Sequence, residues 1–172
     1  GDGNMSSQVG PMRQPLRWWW LALAWVVLDL GTKALMSQTL TYATPVEVLP
    51  FFNLTLLHNT GAAFSFLADH PGWQRWLFAA IAVAATVGLT IWMRRLRRDE
   101  KLLGACLALI IGGALGNLYD RLVHGYVVDF LSFHAAGWYY PAFNVADIGI
   151  TLGAIGLIIE SLRDARRGRA SS

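Results

Sequence analysis

The sequence predicts an integral-membrane, all-α fold: a bundle of four transmembrane helices with a small β element outside the bilayer. Three observations support this prediction. The 172 residues are 55% hydrophobic and only 15% charged, whereas soluble domains are about 45–50% apolar and about 25% charged. The apolar residues are concentrated in four long runs, and a stretch rich in β-branched and aromatic residues lies between the first two. A chain of this length is enough for one domain.

Each apolar run is long enough to cross a bilayer, which takes about 20 helical residues. We expect the spans at about 18–36, 73–93, 102–119 and 142–162. The first run lacks a small-residue cleavage site and is followed by three others, so we predict a retained helix and not a signal peptide. We interpret residues 1–11 as an expression scar and flexible N-terminus, 12–165 as one membrane domain and 166–172 as a cytoplasmic tail.

The distribution of basic residues predicts the orientation of the bundle. Eleven of the fourteen lysines and arginines lie before the first span, between the second and third spans, or after the fourth. The connections at 37–72 and 120–141 contain only Arg121. Because cytoplasmic loops carry the excess of Lys and Arg, both termini are predicted to be cytoplasmic and the two long connections to lie on the outer side.

Composition and motifs argue against several classes of function. The net charge of +3 and the pI near 9.4 come from basic residues at the ends of apolar runs, so we predict no nucleic-acid partner. Cys106 is the only cysteine, which excludes an intrachain disulfide and a multi-cysteine metal site. The four histidines lack the spacing of metal ligands, and no Ser-x-x-Lys, Gly-x-Ser-x-Gly or His-Glu-x-x-His motif occurs. We therefore predict no metal and no cofactor.

The first outer connection has its own local structure. The composition of Val46 to His58 favours two or three short strands. Asn59-Thr60-Gly61 is a turn signal. We expect Ala62 to Leu67 to form a short helix in the interface.

The polar residues of the spans gather at one depth, the outer interface. They are Asp29 and Lys33 in the first span, Asn117, Asp120 and Arg121 in the third, and Asn144 and Asp147 in the fourth, with Asp129 in the second outer connection. An ionisable residue within a span costs roughly 2.5–3.5 kcal/mol on insertion scales. The inner halves of the spans are nearly free of charge. Polar groups collected at one level of an apolar bundle predict a site there.

Structural roles are also open for most of these residues. Asp29 and Lys33, spaced i, i+4, would neutralise each other. Asp120 and Arg121 would fix the end of the third helix. Asp147 near the start of the fourth helix would interact favourably with the helix dipole.

Other functional classes are open as well. Intramembrane charges also mark ion paths in transporters and proton relays, but a relay should distribute charge across the bilayer. A non-enzymatic assembly factor would use the outer loops to bind a partner, yet it leaves the clustered carboxylates unexplained. Asp129, placed between Val128 and Phe130, is difficult to explain as a structural residue.

Two carboxylates suit peptide hydrolysis. When they lie about 3 Å apart they cannot both ionise, so they share one proton. The ionised member takes a proton from water, and the protonated member polarises the scissile carbonyl. This chemistry needs no metal.

The chain resembles lipoprotein signal peptidase, also called signal peptidase II, over about residues 12–162. The matching segments are 29–33 (Asp-Leu-Gly-Thr-Lys), 59–65 (Asn-Thr-Gly-Ala-Ala-Phe-Ser), 112–121 (Gly-Gly-Ala-Leu-Gly-Asn-Leu-Tyr-Asp-Arg), 125–130 (Gly-Tyr-Val-Val-Asp-Phe) and 141–147 (Pro-Ala-Phe-Asn-Val-Ala-Asp). The segments occur in the order of the family, and together they are specific.

The resemblance implies an aspartic peptidase of the bacterial inner membrane, with four transmembrane helices, an extracytoplasmic β-cradle and a short interfacial helix. Its catalytic aspartates match Asp129 and Asp147. Its supporting residues match Asp29, Lys33, Asn59, Gly61, Asn117, Asp120, Arg121 and Asn144. Its substrates are prolipoproteins whose lipobox cysteine carries diacylglycerol, and it is inhibited by the cyclic peptide antibiotic globomycin. We expect contact with membrane lipid and a monomeric state.

Overall fold

The computed structural model describes residues 16–61 and 72–170. Within them the elements are α1 (Arg17–Thr39), β1 (Val46–Leu49), β2 (Phe52–Asn59), α2 (Trp73–Arg95), α3 (Lys101–Val123), β3 (Val127–Ala135), β4 (Trp138–Tyr139) and α4 (Val145–Ala170). All four helices are long and apolar enough to cross a membrane, which confirms the predicted bundle. The expected N-terminal scar and the interfacial helix at Ala62 to Leu67 lie outside the described residues.

The helices extend beyond the apolar runs at their ends. α3 continues to Val123, and Arg75 at the start of α2 supports its last turn. The Nε and Nη2 atoms of Arg75 donate to the carbonyls of Arg121 and Leu122, at 2.6 and 2.7 Å. Carbonyls in the last turn of a helix lack intrahelical partners; here that of Arg121 also accepts the N–H of Gly125 at 3.2 Å, and the Arg75 bonds add to this cap. α4 likewise continues to Ala170, through most of the segment interpreted as a tail.

Helix α3 is the centre of the bundle and packs against α1, α2 and α4. In the most apolar 18-residue stretch of α3, 56% of the residues are buried, whereas the corresponding value is 17% in each of the other three helices. Two glycines allow the close approach: a Cβ at Gly113 would overlap the backbone carbonyl of Ala146, and one at Gly116 would overlap the carboxylate of Asp29. Small residues at such contacts are common between membrane helices. Gly116 therefore brings α1 close to α3 at the level of the predicted site.

The strands form one antiparallel sheet in the order β1-β2-β3-β4. β1 and β2 confirm the strands expected in the first outer connection. β3 and β4 come from the second outer connection, for which the sequence analysis made no strand prediction. In the pairing of β2 with β3, Leu57 lies opposite Asp129 and Asn59 opposite Val127. The sheet thus joins the two outer connections and holds Asp129 at a fixed register.

A short backbone ladder connects the sheet to the start of α4. The N–H groups of Phe130 and Leu131 donate to the carbonyl of Phe143, at 3.1 and 3.0 Å, and the N–H of Phe143 donates back to Leu131 at 3.0 Å. Because Phe143 directly precedes the residue that caps α4, this ladder sets the position of Asp129 relative to the first turn of that helix.

Candidate active site

The first turn of α4 is closed by a reciprocal pair of hydrogen bonds between Asn144 and Asp147. The N–H of Asp147 donates to Asn144 Oδ1 at 2.9 Å, and the N–H of Asn144 donates to Asp147 Oδ2 at 3.2 Å. This is the arrangement of a capping box, with Asn144 as N-cap and Asp147 at the third helical position. Asp147 therefore stabilises the start of α4. Its second oxygen, Oδ1, is not part of the capping box and accepts a hydrogen bond from Asn117 Nδ2 at 3.1 Å.

Helix α1 also holds this turn. Ala146 N–H donates to Asp29 Oδ1 at 2.8 Å, and the indole Nε1 of Trp25 donates to the carbonyl of Val145 at 3.0 Å. The ring of Trp25 fits against Gly149, where a Cβ would overlap it. The backbone beside Asp147 is thus fixed from a second helix.

Asn144 connects Asp147 to Asp129. Its Nδ2 donates to Asp129 Oδ1 at 2.9 Å, and lies 3.1 Å from both the carbonyl of Val128 and Asn117 Oδ1. Asn144 is completely buried. One side chain therefore contacts strand β3 and helix α3 while capping α4, and it sets the relative position of the two carboxylates.

Asp129 is buried on β3 between Val128 and Phe130. Burial, together with the nearby charge of Asp147, raises the pKa of Asp129 to about 7. Hydrogen bonds from Asn59 and Asn144 and the charge of Lys33 oppose this rise. The protonated form of the Asp129 carboxyl is therefore favoured more than in an exposed aspartate.

Beneath the aspartates lies an ionic cluster that joins α1 to α3. The Nζ atom of Lys33 lies 2.7 Å from Asp29 Oδ2, 3.1 Å from Asp120 Oδ2 and 2.9 Å from Asn117 Oδ1. The contact with Asn117 is a hydrogen bond, and the two carboxylates form ion pairs with the ammonium. Asp120 Oδ2 also accepts from the N–H of Val128 at 3.0 Å. The cluster thus holds the β3 backbone at Val128, the residue before Asp129.

Most of the residues expected from the sequence meet in one network. They are Asp29, Lys33, Asn117, Asp120, Asp129, Asn144 and Asp147. Gly61 has φ +79° and donates its N–H to Asn59 Oδ1 at 2.8 Å, so it serves the predicted turn. Arg121 interacts electrostatically with Asp120, Asp129 and Asp147. Its guanidinium lies 5.1 Å from the ring centre of Phe78, and within residues 16–61 and 72–170 it has no carboxylate within ion-pair distance.

Several functional contacts escaped the sequence analysis. The backbone N–H groups of Val128 and Ala146 leave no trace in the sequence, since any residue except proline supplies them. Trp25 did leave a signal: Trp25, Asp29 and Lys33 are spaced i, i+4, i+8 and so share one helix face.

Two concave surfaces adjoin the network. A groove of about 470 Å³ begins at Asp147 and follows α4 along Ile148, Thr151 and Leu152, with 140–143 as its other wall. A larger cavity of about 650 Å³ is lined by Lys33 and lies between the ends of α1 and α3 that face the sheet, with strands β2 and β3 also contributing. Of these two surfaces, only the smaller one is lined by an aspartate of the candidate pair.

In the part of the chain that the structure describes, no three His, Cys, Asp or Glu side chains come together as a metal-binding group. The site contains two carboxyl groups, one of them deeply buried, that accept hydrogen bonds from amide donors. Such a pair can exchange protons with a water and an amide.

Comparison with known proteins identifies one family. A sequence model described as signal peptidase (SPase) II matches residues 21–163. A lipoprotein signal peptidase of Photorhabdus laumondii subsp. laumondii is 53% identical over 146 residues, covering 85% of this chain and 87% of the relative. A lipoprotein signal peptidase of Vibrio vulnificus is 51% identical over 165 residues, covering 95% of both chains.

A solved structure agrees with these relatives. A bacterial membrane enzyme determined by the in meso method at 1.9 Å resolution superimposes with a TM-score of 0.80 at 29% identity, covering 90% of this chain and 99% of the other. The helices and sheet described above are therefore shared with an experimentally determined membrane enzyme.

Proposed function

The chain belongs to the signal peptidase II family, and from this membership we propose a specific reaction for it. Its activity is that of an aspartic peptidase that processes prolipoproteins. In our proposal, the enzyme hydrolyses the peptide bond before the diacylglyceryl-modified lipobox cysteine and releases the signal peptide. Asp129 and Asp147 are the catalytic residues.

The observation that carries the proposal is the position of Asn144. It is bonded to Asp129 through Nδ2 and to Asp147 through Oδ1 and its backbone N–H. Two acidic groups on separate elements are thereby joined through one side chain, and Asp147 lies at one end of the groove along α4. Two carboxyl groups held near each other by a common partner support a shared-proton hydrolysis.

The reaction balances with these two groups and one water. The ionised aspartate takes a proton as the water oxygen bonds to the scissile carbonyl carbon, and the protonated aspartate gives its proton to the carbonyl oxygen. The carbon–nitrogen bond then breaks. The proton taken from water passes to the leaving nitrogen, the proton on oxygen returns to the second aspartate, and the starting state is restored.

The surroundings of the dyad suit a lipid-anchored substrate. The groove along Ile148, Thr151 and Leu152 is apolar and offers a path for the hydrophobic part of the substrate. Asp129 and Asp147 lie where the sheet meets the helix ends. A lipidated cysteine, with its acyl chains in the bilayer, would meet them at that depth.

Localisation and partners follow from the same proposal. The enzyme resides in the bacterial inner membrane as a monomer, with both termini in the cytoplasm and the active site near the outer face. This orientation rests on the basic residues, which concentrate at the ends of α2 and α4 remote from the sheet. Globomycin is expected to compete with the substrate.

A direct assay tests the reaction. Detergent-purified protein is incubated with one precursor in lipidated and unlipidated forms, and the products are analysed by mass spectrometry. We expect a new N-terminus at the lipidated cysteine and much slower cleavage of the unlipidated form, because misplacement of a scissile bond by about 1 Å can cost roughly 100-fold. Equal initial rates would show that the lipid is not recognised.

Labelling tests the orientation. With Cys106→Ser as background, His134→Cys on β3 should react with a membrane-impermeant thiol reagent added to intact spheroplasts. Arg97→Cys, between α2 and α3, should react only after permeabilisation. The opposite pattern would place the dyad on the cytoplasmic side and exclude exported substrates.

A further inference from the structure

A continuous set of hydrogen bonds links Lys33 to Asp147. Lys33 Nζ donates to Asn117 Oδ1 at 2.9 Å, and Asn117 Nδ2 donates to Asp147 Oδ1 at 3.1 Å. Lys33 and Asn117 are both buried. The lysine is thus separated from the dyad by one residue and is connected to it through a single amide.

Lys33 determines which way that amide points. A lysine ammonium can only donate hydrogen bonds, so it requires the oxygen of Asn117. Asn144 Nδ2 donates to the same oxygen at 3.1 Å. With the oxygen held by two donors, the NH2 group of Asn117 must face Asp147, where it can only donate. An amide turned the other way would bring its NH2 group against the ammonium.

The two aspartates consequently have different surroundings. Both oxygens of Asp147 accept hydrogen bonds, Oδ1 from Asn117 and Oδ2 from the N–H of Asn144. Asp147 also lies in the first turn of α4, where the helix dipole favours a negative charge. Asp129 lies on a strand, without a helix dipole, and is almost completely buried.

We propose that Lys33 is a positioning residue which, through Asn117, holds Asp147 as the ionised base and leaves Asp129 to carry the shared proton. This inference rests on the proposed dyad. Asp147 takes the proton from water, and Asp129 protonates the carbonyl oxygen. Reversing the Asn117 amide would remove a donor from Asp147 and weaken that division of roles.

Other charged groups lie around the connection from Lys33 through Asn117 to Asp147, and a test must leave them unchanged. Lys33 is faced by Asp29 from its own helix, by Asp120 from α3, and by the cavity that His58 and His124 line. The dyad is faced by Arg121 from α3. None of them is changed in the variants below.

The test is the pH profile of kcat/KM for Asn117→Leu, Lys33→Met and the double variant, measured with a lipidated precursor. Asn117→Leu removes the donor to Asp147 and the oxygen that accepts from Lys33 and Asn144. It keeps the number and branching of the side-chain heavy atoms and leaves in place the groups that form the two ion pairs of Lys33. We expect its acid limb to move to higher pH by about one to two units, because a carboxylate that has lost a donor is protonated more readily. We expect kcat to fall by about 100-fold, with little change in KM.

The double variant separates action through Asn117 from a direct effect of the charge. Lys33→Met should move the acid limb in the wild-type background and move it clearly less in Asn117→Leu, where only the direct effect of the Lys33 charge on the aspartates remains. Equal movement in both backgrounds would show that Lys33 acts directly, and an unmoved limb in Asn117→Leu would overturn the proposal even if Lys33→Met failed to fold. A purely structural role would reduce activity equally at every pH.

Two further variants separate this inference from the dyad itself. Asp129→Asn and Asp147→Asn are measured in the same assay. If either turns over at near the wild-type rate, the proposed dyad is wrong. If both are inactive and the limb of Asn117→Leu is unmoved, only the role of Lys33 is wrong.

Discussion

Ion pairs lie at both ends of the helix bundle, but their environments differ. At the sheet end, Lys33 contacts Asp29 and Asp120, and all three side chains are at most 4% exposed. At the opposite end, Arg167 contacts Asp164 on the same helix, and their side chains are 71% and 64% exposed. The first cluster connects two helices, whereas the second lies on the surface of one.

The difference shows what each cluster does. Exposed pairs contribute about 0–1 kcal/mol, while burying charged groups costs several kcal/mol that the attraction does not always repay. The buried cluster therefore needs a reason other than stability. Each of its carboxylates also accepts a backbone N–H, Asp29 from Ala146 and Asp120 from Val128. Those two N–H groups belong to the residues directly before Asp147 and Asp129, so the buried charges hold the site.

The largest expected effect compares matched Asp→Asn variants from the two ends. Asp129→Asn and Asp147→Asn should each reduce kcat by at least about 1,000-fold, because an amide can neither take the proton from water nor give one to the carbonyl. Asp164→Asn makes the same change on the exposed end of α4 and should retain wild-type turnover. Initial rates with a lipidated precursor provide the measurement.

The folding of these variants decides how the rates are interpreted. Asp→Asn keeps the size of the side chain, so thermal unfolding in detergent should remain cooperative for all three. Turnover near the wild-type rate in either dyad variant would remove that aspartate from the mechanism.

The next effect is on stability. Asp29→Ala removes one carboxylate from the buried cluster and the acceptor for Ala146 N–H, so we expect a loss of roughly 3–5 kcal/mol in the free energy of unfolding. Asp164→Ala should cost less than about 1 kcal/mol. Denaturant titrations in the same detergent measure both. Similar losses for the two variants would show that the buried cluster is no more important than the exposed one.

The sequence predicts local features of the bundle better than contacts between residues that are distant in the chain. The helices were predictable because long apolar runs depend only on composition, and the pairing of Asp29 with Lys33 was predictable because it is local, at i, i+4. The bonds from Lys33 to Asn117 and Asp120 join residues more than 80 positions apart. No local periodicity indicates such contacts.

Strand β3 was missed for a related reason. Val127 to Ala135 contains β-branched and aromatic residues. Its pairing partner β2, however, is separated from it in the chain by the two membrane helices α2 and α3. Asp129 and Asp147 were assigned as a pair through resemblance to a family, since spacing alone did not bring them together. What the structure adds is the set of hydrogen bonds by which the backbone and side chain of Asn144 join the two aspartates.

A third effect is the pH dependence of stability at the sheet end. Burial and the charge of Asp147 raise the pKa of Asp129 from 3.8 to about 7 in the folded chain. Between these values the folded state holds a proton that the unfolded state has released, so the free energy of unfolding falls as pH rises from about 4 to 7. This loss is at most about 4 kcal/mol.

Asp129→Asn removes this titration. The variant should match the wild type near pH 4 and become the more stable of the two by pH 8, as measured by denaturant unfolding at several pH values. Asp164→Asn is the matched control and should follow the wild type. A stability difference between Asp129→Asn and the wild type that stayed constant with pH would contradict the raised pKa.

The smallest effect concerns the glycines that let the helices approach. Gly116→Ala would place a methyl group against the carboxylate of Asp29, and Gly153→Ala would place one against the Cys106 carbonyl and the Ile110 side chain. Overpacking of this kind costs about 1–3 kcal/mol. A Cβ at Gly88 on α2 meets nothing within 4 Å, so Gly88→Ala should be neutral or slightly stabilising, since alanine is the better helix former.

Turnover distinguishes Gly153→Ala from Gly116→Ala more clearly than stability does. Gly153 lies six residues beyond Asp147 on α4, about 9 Å along the helix axis, in the apolar part of the bundle. We expect Gly153→Ala to lower the unfolding midpoint and leave kcat unchanged. Gly116→Ala should lower both, because a displaced Asp29 releases Ala146 N–H and loosens the turn that carries Asp147. If both variants lost kcat equally, the site would depend on general helix packing, and the contrast between the two ends of the bundle would not hold.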